Sequence, residues 1–308
     1  MGGHIGAPHV TDPRVLVSGL LVVESLYYVF ARLLLPLLPP AAGAMYMMVV
    51  GTVQIAVLMR GRLDWPVLWR HRWLFLAVGL LVGVNTNMGF VAVEYVDPGT
   101  AALLSRTSIL FGVGLGVAWL GERLRGPEMA GAVIAVAGVL AISFQPGQHL
   151  RWGSLLVIAS TALYAVHSAL VKRFAGDIAF GDFMFFRVAS VAAVVTALAV
   201  AQGAVVWPTP VAWGWIVVAA GVNVVLSRGV YYLALRRLDM SFLTIVLTLT
   251  PVVTWLWSVA LFGGRPTAIE IAGGVATLAG VLLVTASRAG RLVPRRSGAR
   301  ERSPRATP

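Results

Sequence analysis

Glu24 is a carboxylic acid set in the run VLVSGLLVVESLYYVFARLLL, about nine residues from either end of it. A titratable acid held among apolar neighbours is the kind of group that proton coupling needs. Tyr27 and Tyr28 follow at i+3 and i+4 and share its helical face. Arg32, Arg106, Arg187 and Arg228 stand in similarly apolar runs. In a bilayer each such charge costs roughly 2.5–3.5 kcal/mol on insertion scales, so each marks either a functional site or a buried pair. Arg32 lies near the end of its run and can reach an interface, which makes it an anchor. The residues that could bind a substrate or couple its movement are Glu24, Tyr28, Asn85, Arg106, Tyr164, Arg187, Asn223 and Arg228. For Glu24 the competing reading is a carboxylate that neutralises a buried arginine. Gln54, Asn87, His167 and Thr250 either line a cavity or bond across helices.

Several chemistries are excluded at once. The chain has no cysteine, so disulfides, thiolate metal sites and cysteine nucleophiles are absent. Its single lysine, Lys172, has no glycine-rich context, and there is no phosphate-cradling loop. His167 has no second histidine or carboxylate at metal-ligand spacing, and no Ser-His-Asp or paired-carboxylate arrangement is present. No catalytic residue, metal or cofactor is expected, and the chain does not read as an enzyme.

The elements that position these residues are membrane spans. The 308 residues are 58% hydrophobic and 12% charged, with a mean hydropathy of +0.85. Apolar runs near twenty residues recur, each long enough to cross a hydrocarbon core of roughly 30 Å. Ten spans are expected, at about 15–36, 42–59, 73–95, 99–120, 128–144, 153–171, 182–202, 211–235, 240–262 and 267–286. A lead of 1–14 precedes them, without the basic start of a signal peptide. A polar linker, 145–152, separates the first five spans from the last five. The tail, 287–308, is rich in Arg, Ser and Pro and reads as disordered.

The chain contains itself twice. Val117 to Leu140 lies without a gap on Val259 to Leu282, an offset of 142 residues, with twelve of 24 positions identical. Gly121/Gly263, Arg123/Arg265, Glu128/Glu270, Gly131/Gly273 and Gly138/Gly280 are among the matches. A fixed offset of this kind signals duplicated structural units, here 15–144 and 153–286. With both termini on one side, 18 of the 24 basic residues fall on that side, against Arg151 and Arg265 on the other. The positive-inside rule then places the termini in the cytoplasm. Five spans is an odd number, so the second copy enters the membrane inverted, an architecture of secondary transporters with a midplane site between the halves. Twenty-three arginines against one lysine point to a GC-rich bacterial genome, hence a bacterial inner membrane.

The pattern Leu120-Gly121-Glu122, then Gly131 and Gly138-Val139, resembles the EamA-type repeat of the drug/metabolite transporter superfamily, in two tandem copies over about 15–286. Pro251 and Arg187 stand where that pattern expects them, whereas Gly264 replaces a glutamate and Ile109 a proline. The resemblance implies an all-α integral membrane protein that exports small metabolites or drugs without ATP. Gly19, Glu24 and Arg32 also reproduce spacings in the first helix of small multidrug resistance proteins. Three functions follow as expectations. The first is export of a small anionic or zwitterionic metabolite, favoured by four span arginines against one span acid. The second is proton-coupled export of organic cations centred on Glu24. The third is a non-transport membrane scaffold. Expected partners are the substrate and the bilayer, with anionic lipid at the basic tail; a homodimer stays open, and nucleic acid is not expected.

Overall fold

In the computed structural model of the chain, the described residues are 13–60, 62–108, 110, 111, 114, 126–143, 152–227, 230, 247 and 249–292. Their regular structure is helical throughout, with no strand among the described residues. The helices are α1 (Pro13–Ser25), α2 (Tyr27–Leu34), α3 (Pro40–Met59), α4 (Trp65–Arg70), α5 (Arg72–Ala92) and α6 (Pro98–Ser105). After them come α7 (Gly126–Ser143), α8 (Trp152–Phe174), α9 (Phe180–Ala201) and α10 (Pro210–Ala220). A π-helical stretch (Gly221–Leu226) continues α10, and α11 (Thr250–Phe262) and α12 (Ala268–Leu292) complete the set. Stretches within α3, α5, α8, α9 and α12 are long and apolar enough to cross a membrane; α7, α11 and α10 with its π-helical extension are apolar but shorter. The far ends of the spans expected at 99–120 and 211–235 and the start of that expected at 240–262 lie largely outside the described residues, as does the tail beyond residue 292; its first residues, 287–292, continue α12 instead of being disordered.

Local chemistry explains where the helices begin and end. Pro98 fills the first helical position of α6 while the Asp97 carboxylate caps it, accepting from Gly99 N–H at 2.9 Å and Thr100 N–H at 3.1 Å. Thr209 does the same for α10, taking the Ala212 N–H at 3.2 Å ahead of Pro210. Thr267 and Glu270 form a reciprocal capping box at α12: Glu270 Oε2 accepts from Thr267 N–H at 2.9 Å, and Thr267 Oγ1 accepts from Glu270 N–H at 3.2 Å. Gly263, at φ 63°, closes α11 in the left-handed conformation.

One expected element is different. The first span reads as a single helix over 15–36, but the structure turns at Leu26 and makes two helices of it. The cause is local hydrogen bonding that competes with the helix. Ser25 Oγ donates back to the Val22 carbonyl at 2.7 Å, and the Leu26 N–H closes on Val23 rather than Val22, at 3.3 Å. The short amphipathic helix α4 is likewise absent from the sequence reading, which leaves 60–72 as a connection.

The two copies do not fold into separate lobes. α5 packs on α8 and α9, α3 on α9 and α10, α1 and α6 on α11, so most of the packing is between halves. The largest buried cluster, with Phe75, Phe90, Phe183 and Phe186, draws on both. Among the described helices, α7 packs most extensively on α12. Gly131 lies against the backbone of Gly280, so that a Cβ there would meet its carbonyl oxygen at 2.7 Å, and Gly138 against that of Gly273 at 2.5 Å. The repeat offset carries Gly131 onto Gly273 and Gly138 onto Gly280. The crossing is therefore antiparallel and reciprocal, as two copies of one surface make across a two-fold. Glu128 and Glu270, equivalent by the same offset, are buried at 0% and 8% exposure in the first turns of these helices.

A side chain at the crossing should therefore be costly. Gly138→Ile should destabilise the protein by roughly 1–3 kcal/mol, the usual cost of overpacking, whereas Gly19→Ala, with nothing within 4 Å of its Cβ position, should be neutral. Thermal unfolding of both variants in detergent checks the contrast.

Candidate functional site

The site is built on one face of α8. Ser160, Thr161, Tyr164 and His167 recur at the spacing that keeps side chains on one helical stripe. Each meets a polar group from another element. Asn85 Nδ2 of α5 donates to the Ser160 carbonyl at 2.6 Å. The hydroxyls of Thr161 and Thr107 are 3.0 Å apart. Tyr164 lies within electrostatic reach of Arg106, and its ring is 5.2 Å from that of His167. Arg187 of α9 completes the row, its Nε donating to His167 Nε2 at 3.5 Å.

Glu24 and Tyr28 approach from the broken first span. Arg106 is within electrostatic reach of Glu24, Tyr28 and Tyr164 together. Tyr28 is hydrogen-bonded to Ser105, the residue before that arginine. Ser227, just past the π-helical stretch, donates its hydroxyl proton to Glu24 Oε1. The cluster thus joins α1 and α2 and the end of α6 from the first copy to α8 and helical Ser227 from the second.

α5, α8 and α9 run unbroken past the site, whereas the other elements that reach it are interrupted there. α1 gives way to α2 at Leu26, α6 ends at Ser105 with turns at Arg106 and Thr107, and α10 passes into a π-helix at Gly221. A turn at Leu249 precedes α11. The repeat offset places Thr107 on Leu249, so the fourth span turns where the ninth does. It does so without the proline, since Ile109 stands at the position of Pro251. Ser105 Oγ and Thr107 Oγ1 hydrogen-bond instead to the carbonyls of Ala102 and Leu104, at 2.7 and 2.8 Å.

In lipid, carbonyls freed by such breaks need partners inside the protein. The Ser25 carbonyl accepts from Thr254 Oγ1 of α11 at 2.9 Å, and Trp257 Nε1 donates to Ser25 Oγ at 3.2 Å. The Leu247 carbonyl accepts from Arg106 Nη1 at 3.1 Å. Arg32, near the end of its own run, caps the end of α5, donating to the Val93 carbonyl.

Of the residues singled out from sequence, Glu24, Tyr28, Arg106 and Tyr164 come together. Arg187 joins them through His167, and Asn85 sits at Ser160, one helical turn before Tyr164. Asn223 is elsewhere: it is buried in the π-helical stretch, with Nδ2 directed at Met47 Sδ of α3, 3.9 Å away. Arg228 lies outside the described residues. Sequence reasoning passed over Ser105, Thr107, Thr161, Ser227, Thr254 and Trp257, since hydroxyls and indoles are ordinary in apolar helices. The burial of Glu128 and Glu270 did carry a signal, their identity in the repeat.

The clamp on the first-span break can be tested directly. Thr254→Val keeps shape but leaves the buried Ser25 carbonyl bare, which should cost about 1–3 kcal/mol. Thr254→Ser should restore most of that, as read by thermal unfolding of the purified protein.

The sequence model of the EamA-like transporter family matches the chain twice, at residues 15–144 and 151–286. A crystal structure of a protein 21% identical in sequence superposes with a TM-score of 0.61, covering 91% of this chain and 98% of its own. That likeness is one of fold. No curated protein matches the chain.

Proposed function

The chain belongs to the EamA-like transporter family, and from that premise we propose that it is a secondary active exporter of a small anionic or zwitterionic metabolite. Its ten spans, as two inverted five-span copies, would alternate access to the cluster around Arg106 from the two faces of a bacterial inner membrane. Both termini would be cytoplasmic, with the basic tail on anionic lipid. Membership of a family of transporters supports a cycle in which the substrate is moved and no bond is made or broken.

The observation that carries this reading is the placement of Arg106. It sits among interrupted helices drawn from both copies, within reach of Glu24, Tyr28 and Tyr164. A guanidinium binds carboxylate as a fork of donors. Arg187, joined to the same row through His167, adds a second positive charge against the one acid, Glu24. Glu24, held by Ser227, supplies the group whose proton could be exchanged when the metabolite arrives or leaves. Tyr28 and Tyr164 provide hydroxyl and ring surface beside the charges.

A second reading has its own support. Tyr27 and Tyr28 meet edge to face at 4.9 Å, Tyr28 shares Arg106 with Glu24, and aromatic rings near a carboxylate suit an organic cation. The second reading is a Glu24-centred, proton-coupled exporter of cations, with the arginines structural. A non-transport scaffold is the third, and any specific flux removes it.

Proteoliposomes containing the full chain, offered amino acids, dicarboxylates and an organic dye cation with and without a pH gradient, separate the three. Uptake of an anionic or zwitterionic probe is expected, and it should fall in Arg106→Gln more than uptake of the dye. In Glu24→Gln, gradient-driven transport should collapse while exchange persists. If Glu24 only neutralised an arginine, that variant would instead lose about 3–5 kcal/mol of stability, visible as lower membrane abundance and a lower Tm. Uptake confined to the dye cation would overturn the first reading.

A further inference from the structure

A proline has no N–H and therefore leaves the carbonyl four residues before it without its helical donor. For Pro251, buried in the first turn of α11, that carbonyl belongs to Leu247. It is the carbonyl that accepts from Arg106 Nη1, at 3.1 Å. We infer that Arg106 is a positioning residue of the site: its guanidinium replaces the N–H that Pro251 lacks and pins the start of α11, in the second copy, to the break after α6 in the first.

Three observations converge on this. The repeat offset lays Pro251 on Ile109, so the first copy has lost the proline that the second keeps, and it has placed an arginine three residues before that position. The first copy turns at Thr107, where the hydroxyls of Ser105 and Thr107 bond to the carbonyls of Ala102 and Leu104. The same guanidinium also lies within electrostatic reach of Glu24, Tyr28 and Tyr164. One side chain therefore links the charged cluster electrostatically to a backbone carbonyl of the interrupted ninth span. A ligand carboxylate that turns the guanidinium toward itself would loosen the Leu247 carbonyl and with it the start of α11. This consequence rests on the transport reading; the contact does not.

The test is a double-mutant cycle on the purified full-length protein. Pro251→Ala returns an N–H to position 251 and makes the guanidinium redundant at Leu247. Arg106→Met alone should lower the Tm clearly. In the Pro251→Ala background the same change should lower it by half as much or less, while whatever shift Glu24→Gln causes should be the same in both backgrounds. Arg106→Lys, which keeps a donor, should retain most of the Tm. If Arg106→Met is too unstable to purify, recovery of folded protein in Arg106→Met/Pro251→Ala is itself the expected result.

A second measurement follows the backbone. With one cysteine introduced at Leu249 into this cysteine-free chain, labelling in proteoliposomes by a membrane-impermeant maleimide should speed up several-fold in Arg106→Met. It should return toward the parent rate when Pro251→Ala is added. Additive Tm losses, with labelling unchanged by either substitution, would overturn the inference and leave the transport reading standing. A normal cycle in a protein that moves no probe would overturn transport and leave the contact.

Discussion

Every helix break in this protein has to be repaired from within. A bilayer offers no water to an exposed carbonyl, so a span can be interrupted only where another side chain can reach the gap. The breaks at Leu26 and Leu249 meet that condition with donors from other spans, Thr254 for one and Arg106 for the other. The polar residues that look like extravagance in an apolar chain are in part the means by which discontinuous helices exist at all. They also place backbone turns beside the charged cluster, which unbroken spans could not do.

Symmetry supplies the frame, and departures from it supply the site. α7 and α12 keep the duplicated pattern so closely that glycine meets glycine across the crossing in reciprocal pairs. The inner elements have diverged. The first span is broken at Leu26, whereas α8 runs unbroken from Trp152 to Phe174. α10 passes into a π-helix, whereas the equivalent part of α5 is regular. Glu24 belongs to one copy, and the polar stripe of Tyr164 and His167 to the other. Function of the proposed kind needs such a division, because two identical halves could not set an acid against an arginine on the same axis.

What could be read from the chain divides along the same line. The duplication, the apolar spans and the family pattern were legible because each is written in residue identity and spacing. Glu24, Tyr28, Arg106 and Tyr164 could be picked out because charges and phenols are rare in such runs, and the fold does bring them together. The breaks could not be read. Ser25 and Thr254 look like any small polar residues in a membrane helix, and their meaning lies in a contact between residues 229 apart. Arg106 was legible as a charge but not as a donor to Leu247, since hydropathy carries no record of which carbonyl a proline strips. Asn223 was legible as a buried amide, but its contact with Met47 was not, for the related reason that hydropathy does not say what a polar group packs against.

The reciprocal crossing of α7 and α12 limits how this chain can drift. A substitution in a packed interface is often rescued by trimming its neighbour. Here glycine meets the backbone of another glycine: Gly131 faces Gly280 and Gly138 faces Gly273, with Val284 Cγ2 and Thr277 Oγ1 alongside. The glycine partners have no side chain to surrender. They therefore admit no second-site suppressor among themselves, and trimming Val284 or Thr277 would leave the backbone contact where it is. Genes descended from the same duplication should have kept these positions small as a set, or abandoned them as a set.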